Sequence, residues 1–349
     1  MVPAAPRRVY RVDGVYVLLG VLPRGCRLCI EGAKLVVFVT GLCDERCFYC
    51  PVSSAKLYRD VIYADEELVK RLEDIIDEAY SIGADGASIT GGDPLVVLDR
   101  TMRVIKTLKT VFGPDFHIHL YTSGRYATAD TLRELERAGL DEIRFHIVNW
   151  SWGLERLRRA LEVVKHMDVG VEVPVFPDRV EELKRLILEL DKMGVSFVNL
   201  NELEVSERNI HDLLLRGYRV SPNKPIVYGS EEAAVEIVEW ATRMGVRLTV
   251  HYCPARYKDR VQMRIRLIRK AIRLAKPYQR VTPSGMLEYA VIPEDRAPRQ
   301  WGELLERLKV GYAGPASLAE MVPSARIVRV YPSRRLASRL PSEVDSIAE

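Results

Sequence analysis

The segment GLCDERCFYCP, residues 41–51, carries Cys43, Cys47 and Cys50, three of the chain's six cysteines, in the spacing C-x3-C-x2-C. Cys26 and Cys29 follow C-x2-C, and Cys253 stands two residues after His251. An even count permits disulfides, and an intracellular disulfide stays open if the source is a hyperthermophile. In a long chain without a secretory pattern, clustered cysteines more often bind metal. A closed zinc site takes four ligands, so three from one loop leave a position open. An iron–sulfur cube on three thiolates likewise leaves one iron free, which is a site for chemistry and not only for structure.

The stretch before the triplet, KLVVFVT at 34–40, is a continuous apolar, β-branched run and reads as a buried strand. The triplet therefore sits on the loop at a strand's carboxyl end, where parallel barrels keep their chemistry. Strand and helix patterns then alternate. Helices are expected at 66–82, 99–111, 129–138, 154–166, 180–193 and 231–244. Strands are expected at 87–90, 116–122, 141–148, 169–176, 196–205 and 246–253. This predicts an α/β fold with a parallel sheet, partly or nearly closed into a (β/α) barrel, over residues 34–255. Residues 1–33 are read as an N-terminal strand (15–22) and a CxxC knuckle.

The 349 residues are 48 % hydrophobic and 29 % charged with a formal charge of +4, a globular composition that neither demands nor excludes an anionic partner. No apolar run is long enough to span a membrane. VYVLLGVL at 15–22 is followed by Pro23-Arg24-Gly25 and not by a small-residue cleavage site, so it reads as a strand and not a signal peptide; a cytoplasmic setting is expected. Abundant Arg and Glu with few Asn and Gln suit a thermophile.

The triplet after a first strand, with Tyr49 before the third cysteine and the turn Gly91-Gly92-Asp93 after the next strand, resembles the radical SAM superfamily. The likeness runs in order over about 34–253. Asp93 stands where the family more often has Glu, keeping the carboxylate one methylene shorter. The wider pattern CRLC, TGGDP, FHIHLYT, LDEIRFH and NLNELE resembles an archaeal radical SAM group related to pyruvate formate-lyase activating enzymes. The resemblance implies that Cys43, Cys47 and Cys50 bind a 4Fe-4S cluster and that S-adenosylmethionine (SAM) chelates the fourth iron. Reductive cleavage would give a 5′-deoxyadenosyl radical that abstracts hydrogen from an unidentified substrate. A ferredoxin-like electron donor is also implied. Tyr49, Gly91, Gly92, Asp93, Thr122 and Ser123 are its cofactor-binding candidates.

The bare residues support further readings. Two glycines let the 91–94 turn approach a ligand closely, or else Asp93 or Asp99 simply caps the next helix. LYTSG at 120–124 supplies ligand contacts or a helix-start turn. In DEIRFHIV, alternation puts Arg144 and His146 on the lumen face, as catalytic or substrate contacts or as a buried ion pair with Glu172. His117 and His119 share a face and read as a structural pair sooner than a metal site. In NLNELEV, Asn201 and Glu202 are further catalytic candidates in a polar pocket, with Asn199 and Asn201 on one face and Glu202 on the other. Cys26, Cys29, His251 and Cys253 form a tentative second site for zinc or an auxiliary iron–sulfur cluster, or carry a redox pair or unliganded thiols.

Beyond 255, a basic helix at 256–276 with an apolar stripe of Val261, Ile265, Ile268 and Ile272 opens a small α+β appendage reaching to 340. It contains a hairpin at 283–285, a helix at 301–308 and a strand at 326–332; a frayed tail (341–349) follows. The basic face binds RNA or is a solvated face. The expected function is a radical SAM enzyme. A tRNA-modifying enzyme, a glycyl-radical activase, an enzyme acting on a small metabolite, and a non-catalytic iron–sulfur or zinc redox sensor are the other readings.

Overall fold

The computed structural model describes residues 9–12, 16–297, 305–308 and 311–333. Its main sheet is built from β1 (Val9–Val12), β2 (Tyr16–Leu19), β3 (Lys34–Phe38), β4 (Tyr63–Ala64), β5 (Glu67–Leu68), β6 (Gly86–Thr90), β7 (His117–Thr122), β8 (Glu142–Phe145), β9 (Asp168–Val175), β10 (Phe197–Glu202) and β11 (Thr249–Cys253). The spatial order is β1-β2-β11-β10-β9-β8-β7-β6-β3-β4-β5. The strands from β3 through β6 to β11 are parallel and follow chain order, so each crossover adds a neighbour on the same side and the sheet curls around a lumen. The helices are α1 (Arg24–Ile30), α2 (Leu72–Ile82), α3 (Leu98–Phe112), α4 (Ala129–Arg137), α5 (Trp150–Val163), α6 (Val180–Met193), α7 (Ile210–Leu215) and α8 (Ser230–Arg243). Ile143, Phe145, Val171 and Leu200 pack outward with Leu132, Leu135, Leu157 and Leu190 of the helices in one apolar core.

Several local expectations change. Residues 66–71 are not helical. Glu67–Leu68 is a short strand, and Asp74 accepts from the backbone N–H groups of Lys70 and Arg71 at 2.8 and 3.0 Å, starting α2 at Leu72. CRLC is not a knuckle. It lies on α1, whose i, i+3 spacing turns Cys26 and Cys29 the same way. α1 sits inside the curve of the sheet, so close that a Cβ on Gly25 would lie 2.4 Å from His119 Nδ1 and 2.9 Å from Arg144 Nη2.

The barrel is partial. β3 and β11 are not paired; β4 and β2 cover their edges. The gap is bridged by the basic segment, which breaks into α9 (Ala255–Tyr257), a π-helical turn (Lys258–Met263) and α10 (Arg264–Leu274). Leaving β11, it reaches the β3–β4 edge and α2. Arg266 pairs with Asp65 at 3.1 Å, Lys270 with Glu78 at 2.6 Å, and Arg269 donates to the Ile82 and Gly83 carbonyls. The buried stripe is Leu267, Lys270 and Ala271, while Ile272 is exposed, which corrects the predicted stripe. A lysine joins it because its partner, Glu78, is itself buried.

The appendage is a separate antiparallel sheet of β12 (Arg280–Val281), β13 (Leu287–Ile292), β14 (Glu306–Leu308), β15 (Gly311–Gly314) and β16 (Arg326–Val330), with its own core of Ala271, Leu287, Tyr289, Ala313 and Val330. The hairpin at 283–285 joins β12 to β13. The helix predicted at 301–308 is corrected at its end: Glu306–Leu308 pairs with β15, and 301–304 lie outside the described residues, as does the 341–349 tail. No helix among the described residues is long and apolar enough to cross a membrane.

The seam pair gives a direct test. Glu78→Ala leaves the buried Lys270 ammonium with Glu67 at 3.8 Å in place of its 2.6 Å contact and is expected to cost about 3 kcal/mol, read as a lowered denaturant midpoint at constant slope.

Candidate active site

The cysteine loop leaves β3 under tight constraint. Thr40 donates its hydroxyl to Asp60 at 2.9 Å and accepts from the Leu42 N–H. Arg100 grips Asp60 through two nitrogens and also donates to the Val39 carbonyl. The Gly91-Gly92 turn lies against this loop: Gly92 N donates to Thr40 O and Asp93 N to Leu42 O, each at 2.8 Å. A Cβ on Gly91 would lie 2.3 Å from Thr40 O, and one on Gly92 2.2 Å from Leu42 O. The glycines are thus required for loop-on-loop contact.

Asp93 is buried and fully engaged. It caps the following turn through Leu95 N and accepts from Thr122 Oγ1, Ser123 N and Ser123 Oγ at 2.7–3.1 Å. The Gly-Gly-Asp turn and the Thr122-Ser123 turn are therefore one unit. Thr122 and Ser123 line the adjoining cavity, and Asp93 braces them from behind its wall.

That cavity, about 610 Å³, is the lumen of the sheet, lined by Cys43, Cys47, Tyr49, Cys50, Gly91 and Gly92. Cys26, Cys29, His251 and Cys253 also face it, as do Glu172, Asn199 and Asn201. All six cysteines are free thiols.

At the lumen's centre Arg144 is 2 % exposed. Its Nε binds Glu142; Nη1 donates to Glu172 Oε2 at 3.0 Å and to Tyr121 OH at 3.2 Å; Nη2 donates to Cys26 Sγ at 3.3 Å. Asn199 and Asn201 donate to the two oxygens of Glu172 at 3.0 and 2.8 Å. Burial alone would raise the Glu172 carboxyl, but Arg144, aided by these amides and Lys258, holds it down at about 2. Arg144 is therefore both lumen-facing and a buried ion pair.

His146 Nδ1 meets the Glu172 backbone carbonyl at 3.0 Å, and a carbonyl only accepts, so Nδ1 carries the proton. Burial lowers the ring's pKa and keeps it neutral, so Nε2 accepts from Tyr49 OH at 2.7 Å. Tyr49, inside the triplet, is thereby tied to the β8 edge. Asn201 faces the lumen, and Glu202, also at the cavity wall, accepts the Ala255 N–H at 2.8 Å and anchors α9. One oxygen of each, Asn201 Oδ1 and Glu202 Oε1, is buried without a hydrogen-bond partner.

The second cysteine group shares the cavity with separate partners. Asn199 Nδ2 donates to Cys26 Sγ at 3.4 Å, the Cys29 thiol donates to Gln262 Oε1 at 2.8 Å, and His251 Nδ1 meets Asn199 Oδ1 at 2.9 Å. His119 bonds Tyr121 OH at 3.2 Å, and His117 lies 3.7 Å from Glu142. Among the described residues no three His, Cys, Asp or Glu side chains converge on a point where one ion could sit. A 4Fe-4S cube makes a different demand, since each thiolate takes its own iron and one iron stays open. Three half-buried thiols on a braced loop, opening into a roomy cavity, fit that demand. Burial pushes the Cys43 thiol up to about 12 and raises that of Cys47, so both are protonated thiols at neutral pH.

Sequence reading missed Glu142, Tyr121, Lys258 and Asn209. Alternation from Arg144 and from His119 marks the first two; nothing in the basic run singles out Lys258, nor in its loop Asn209.

Residues 37–159 match the model of the radical SAM superfamily. The chain is 37 % identical over 302 residues, 83 % of it and 79 % of the relative, to a Methanocaldococcus jannaschii protein provisionally named a glycyl-radical enzyme activating enzyme. The chain belongs to the radical SAM superfamily. It is also 30 % identical over 150 residues to a GTP 3′,8-cyclase of Clostridium botulinum, covering 40 % of the chain and 44 % of that protein. The crystal structure of Streptococcus suis SuiB bound to its precursor peptide SuiA aligns over 64 % of the chain and 48 % of its own length, at 12 % identity and a TM-score of 0.45. As a member of the radical SAM superfamily, the chain takes a 4Fe-4S cluster and SAM and needs a reductant.

The Glu172 carboxylate sets an acid limit. Its folded pKa of about 2 lies below the ordinary 4.5. The stability it contributes is complete above pH 4.5 and is lost as pH falls toward 2. Glu172→Gln is expected to be less stable at neutral pH and to flatten the fall in unfolding free energy across that window, measured by urea titrations at stepped pH.

Proposed function

We propose that Cys43, Cys47 and Cys50 hold the 4Fe-4S cluster, and that Gly91, Gly92, Thr122, Ser123 and Tyr49 form the wall against which SAM lies. One observation carries this reading: three free thiols on a loop clamped by Asp60, Arg100 and the Gly-Gly turn open together onto the 610 Å³ lumen. When bound, the reduced cluster and SAM supply a carbon radical that takes a hydrogen atom from the substrate.

The chain's own residues do the rest. Asp93 holds Thr122 and Ser123 in one orientation. Tyr49 donates to His146, which keeps the aromatic ring from turning out of the lumen. Arg144 neutralises Glu172, and Glu172 fixes the amide of Asn201 so that its unpartnered Oδ1 is available to a donor group of the substrate. The curved sheet and the α9–α10 seam enclose the lumen, which would keep a carbon radical away from C–H and S–H groups other than the substrate's.

Cys26, Cys29, His251 and Cys253 form, in this reading, a polar wall held by Arg144, Asn199 and Gln262. Zinc or a second cluster would require those bonds to break. The basic segment is engaged inside the chain, which supports a structural role over RNA binding. A one-electron donor such as a ferredoxin completes the system. The name of the M. jannaschii relative supports a second reading, formation of a glycyl radical on a partner protein.

The test is anaerobic. Protein reconstituted with iron and sulfide, reduced with dithionite and given SAM is expected to release 5′-deoxyadenosine. Cys47→Ala is expected to release none, and a product that persisted in the variant would refute the assignment. The triple variant lacking Cys43, Cys47 and Cys50 is expected to hold neither iron nor zinc by elemental analysis. Retained metal would assign a second site to Cys26, Cys29 and Cys253.

A further inference from the structure

Between the end of β10 and the start of α8 the chain builds a lobe, residues 203–229, around α7, with bridges Glu204–Ile226 and Val220–Val227. Its inner side, including Leu203, Leu213, Tyr218 and Val227, packs with Phe176 against Phe48 and Tyr49 of the triplet. Asn209, 0 % exposed, donates to the Tyr49 and Glu204 carbonyls at 2.9 Å, and Glu207 accepts the Ser54 N–H at 3.0 Å. The lobe is thus fastened to the back of the cysteine loop.

Its outer side is apolar at the centre and positive around it. Ile210, Leu214 and Leu215 are 37, 52 and 71 % exposed. Three arginines stand on aromatic rings: Arg216 at 4.2 Å over Phe48, Arg208 at 5.6 Å over Tyr58, and Arg219 at 5.9 Å over Tyr228. Stacking holds these cations in place at little further entropic cost on binding. Of the lobe's carboxylates, Asp212 is paired with Arg216 and Glu204 with Lys258, while Glu207 accepts the Ser54 N–H, which cancels no charge, so the net positive charge of the outer face rests on Arg208, Arg219 and Lys224. Phe48 itself does not line the lumen, although Cys47, Tyr49 and Cys50 do. Leu203 and Glu204, at the lobe's start, reach the cavity wall, while the part of the lobe packed on Phe48 lies on the side of the triplet away from the cavity.

Resting on the cluster assignment above, we propose that the outer face of this lobe docks an acidic one-electron carrier protein, which passes its electron to the cluster across Phe48. One electron leaves the carrier, which is oxidised, and the cluster is reduced by one; no bond is made and no proton moves. A second copy of the chain is a poor occupant, because a two-fold contact would set the arginines against one another. A substrate protein must instead reach the lumen, on the other side of the triplet.

The test compares reductants on the full-length, reconstituted protein, following 5′-deoxyadenosine. One arm uses dithionite. The other uses an acidic ferredoxin with 4Fe-4S clusters, kept reduced by its oxidoreductase. The double variant Leu215→Glu/Arg219→Glu is expected to match the wild type with dithionite, while its KM for ferredoxin and its calorimetric Kd for ferredoxin, measured without SAM or turnover, both rise about tenfold. Added salt is expected to slow only the ferredoxin arm of the wild type. An unchanged KM, or ferredoxin that fails to drive a dithionite-competent wild type, would overturn the proposal and leave the cluster assignment standing. A variant that loses both arms alike would also overturn it, as damage to the loop. A wild type silent in both arms would refute the cluster assignment itself.

Discussion

A guanidinium in the interior must be answered on every nitrogen, and Arg144 imposes that condition on the whole lumen. Its partners come from α1 (Cys26), β7 (Tyr121), β8 (Glu142) and β9 (Glu172), and Glu172 carries the network to Asn199 and Asn201 on β10. The Tyr121 and Phe197 rings cover its faces at 5.3 and 5.1 Å. Phe197 reaches the lumen because Gly170 opposite has no side chain; a Cβ there would lie 2.1 Å from the ring. The seat of α1 and much of the polar lining of the cavity thus answer to one charge. The same bonds leave Arg144 little freedom to serve as a mobile catalytic group.

The triplet, the alternating strands and the lumen positions of Arg144, His146 and Asn201 were legible because they depend on local period and spacing. What most lumen groups touch was not. Alternation in DEIRFHIV gives the face of Arg144 and its pairing with Glu172 on the following strand, but not its further partners Glu142, Tyr121 and Cys26. Asp93 illustrates the limit. Its carboxylate was visible as a ligand or cap, yet its hold on Thr122 and Ser123 arises only when β6 and β7 lie side by side. The stripe on the basic segment failed for a related reason: a helical pattern counts Lys270 as polar, and only Glu78, far away in sequence, makes it a core residue. In WGELLERL, good helix formers yielded at Glu306–Leu308 to an edge position in the small sheet.

The seam explains why so basic a segment belongs to this fold. A sheet whose first and last parallel strands do not pair exposes backbone edges and opens its lumen to water. β2 and β4 satisfy the edges. The remaining gap lies between elements rich in carboxylates, Asp65, Glu66 and Glu78 on one side and Glu204 and Glu231 on the other. A helical segment rich in Arg and Lys can bind both banks at once. The π-helical turn lies where the helix crosses the gap and sends Lys258 and Gln262 to the cavity wall, and π turns frequently mark such functional positions.

The four residues from Cys47 to Cys50 show how little sequence is needed to give one loop two faces. Phe48 and Tyr49 stand edge to face, their ring centroids 5.1 Å apart, and diverge. Tyr49 enters the lumen and donates to His146, so its position is set by the strand wall. Phe48 leaves the lumen and lies beneath Arg216, so its position is set by the lobe. Neither aromatic can turn without breaking contact with a different part of the fold, which fixes the two flanking thiols between them. A cysteine loop held this way presents one side to the lumen and the other to the lobe, and each side is braced independently of the other.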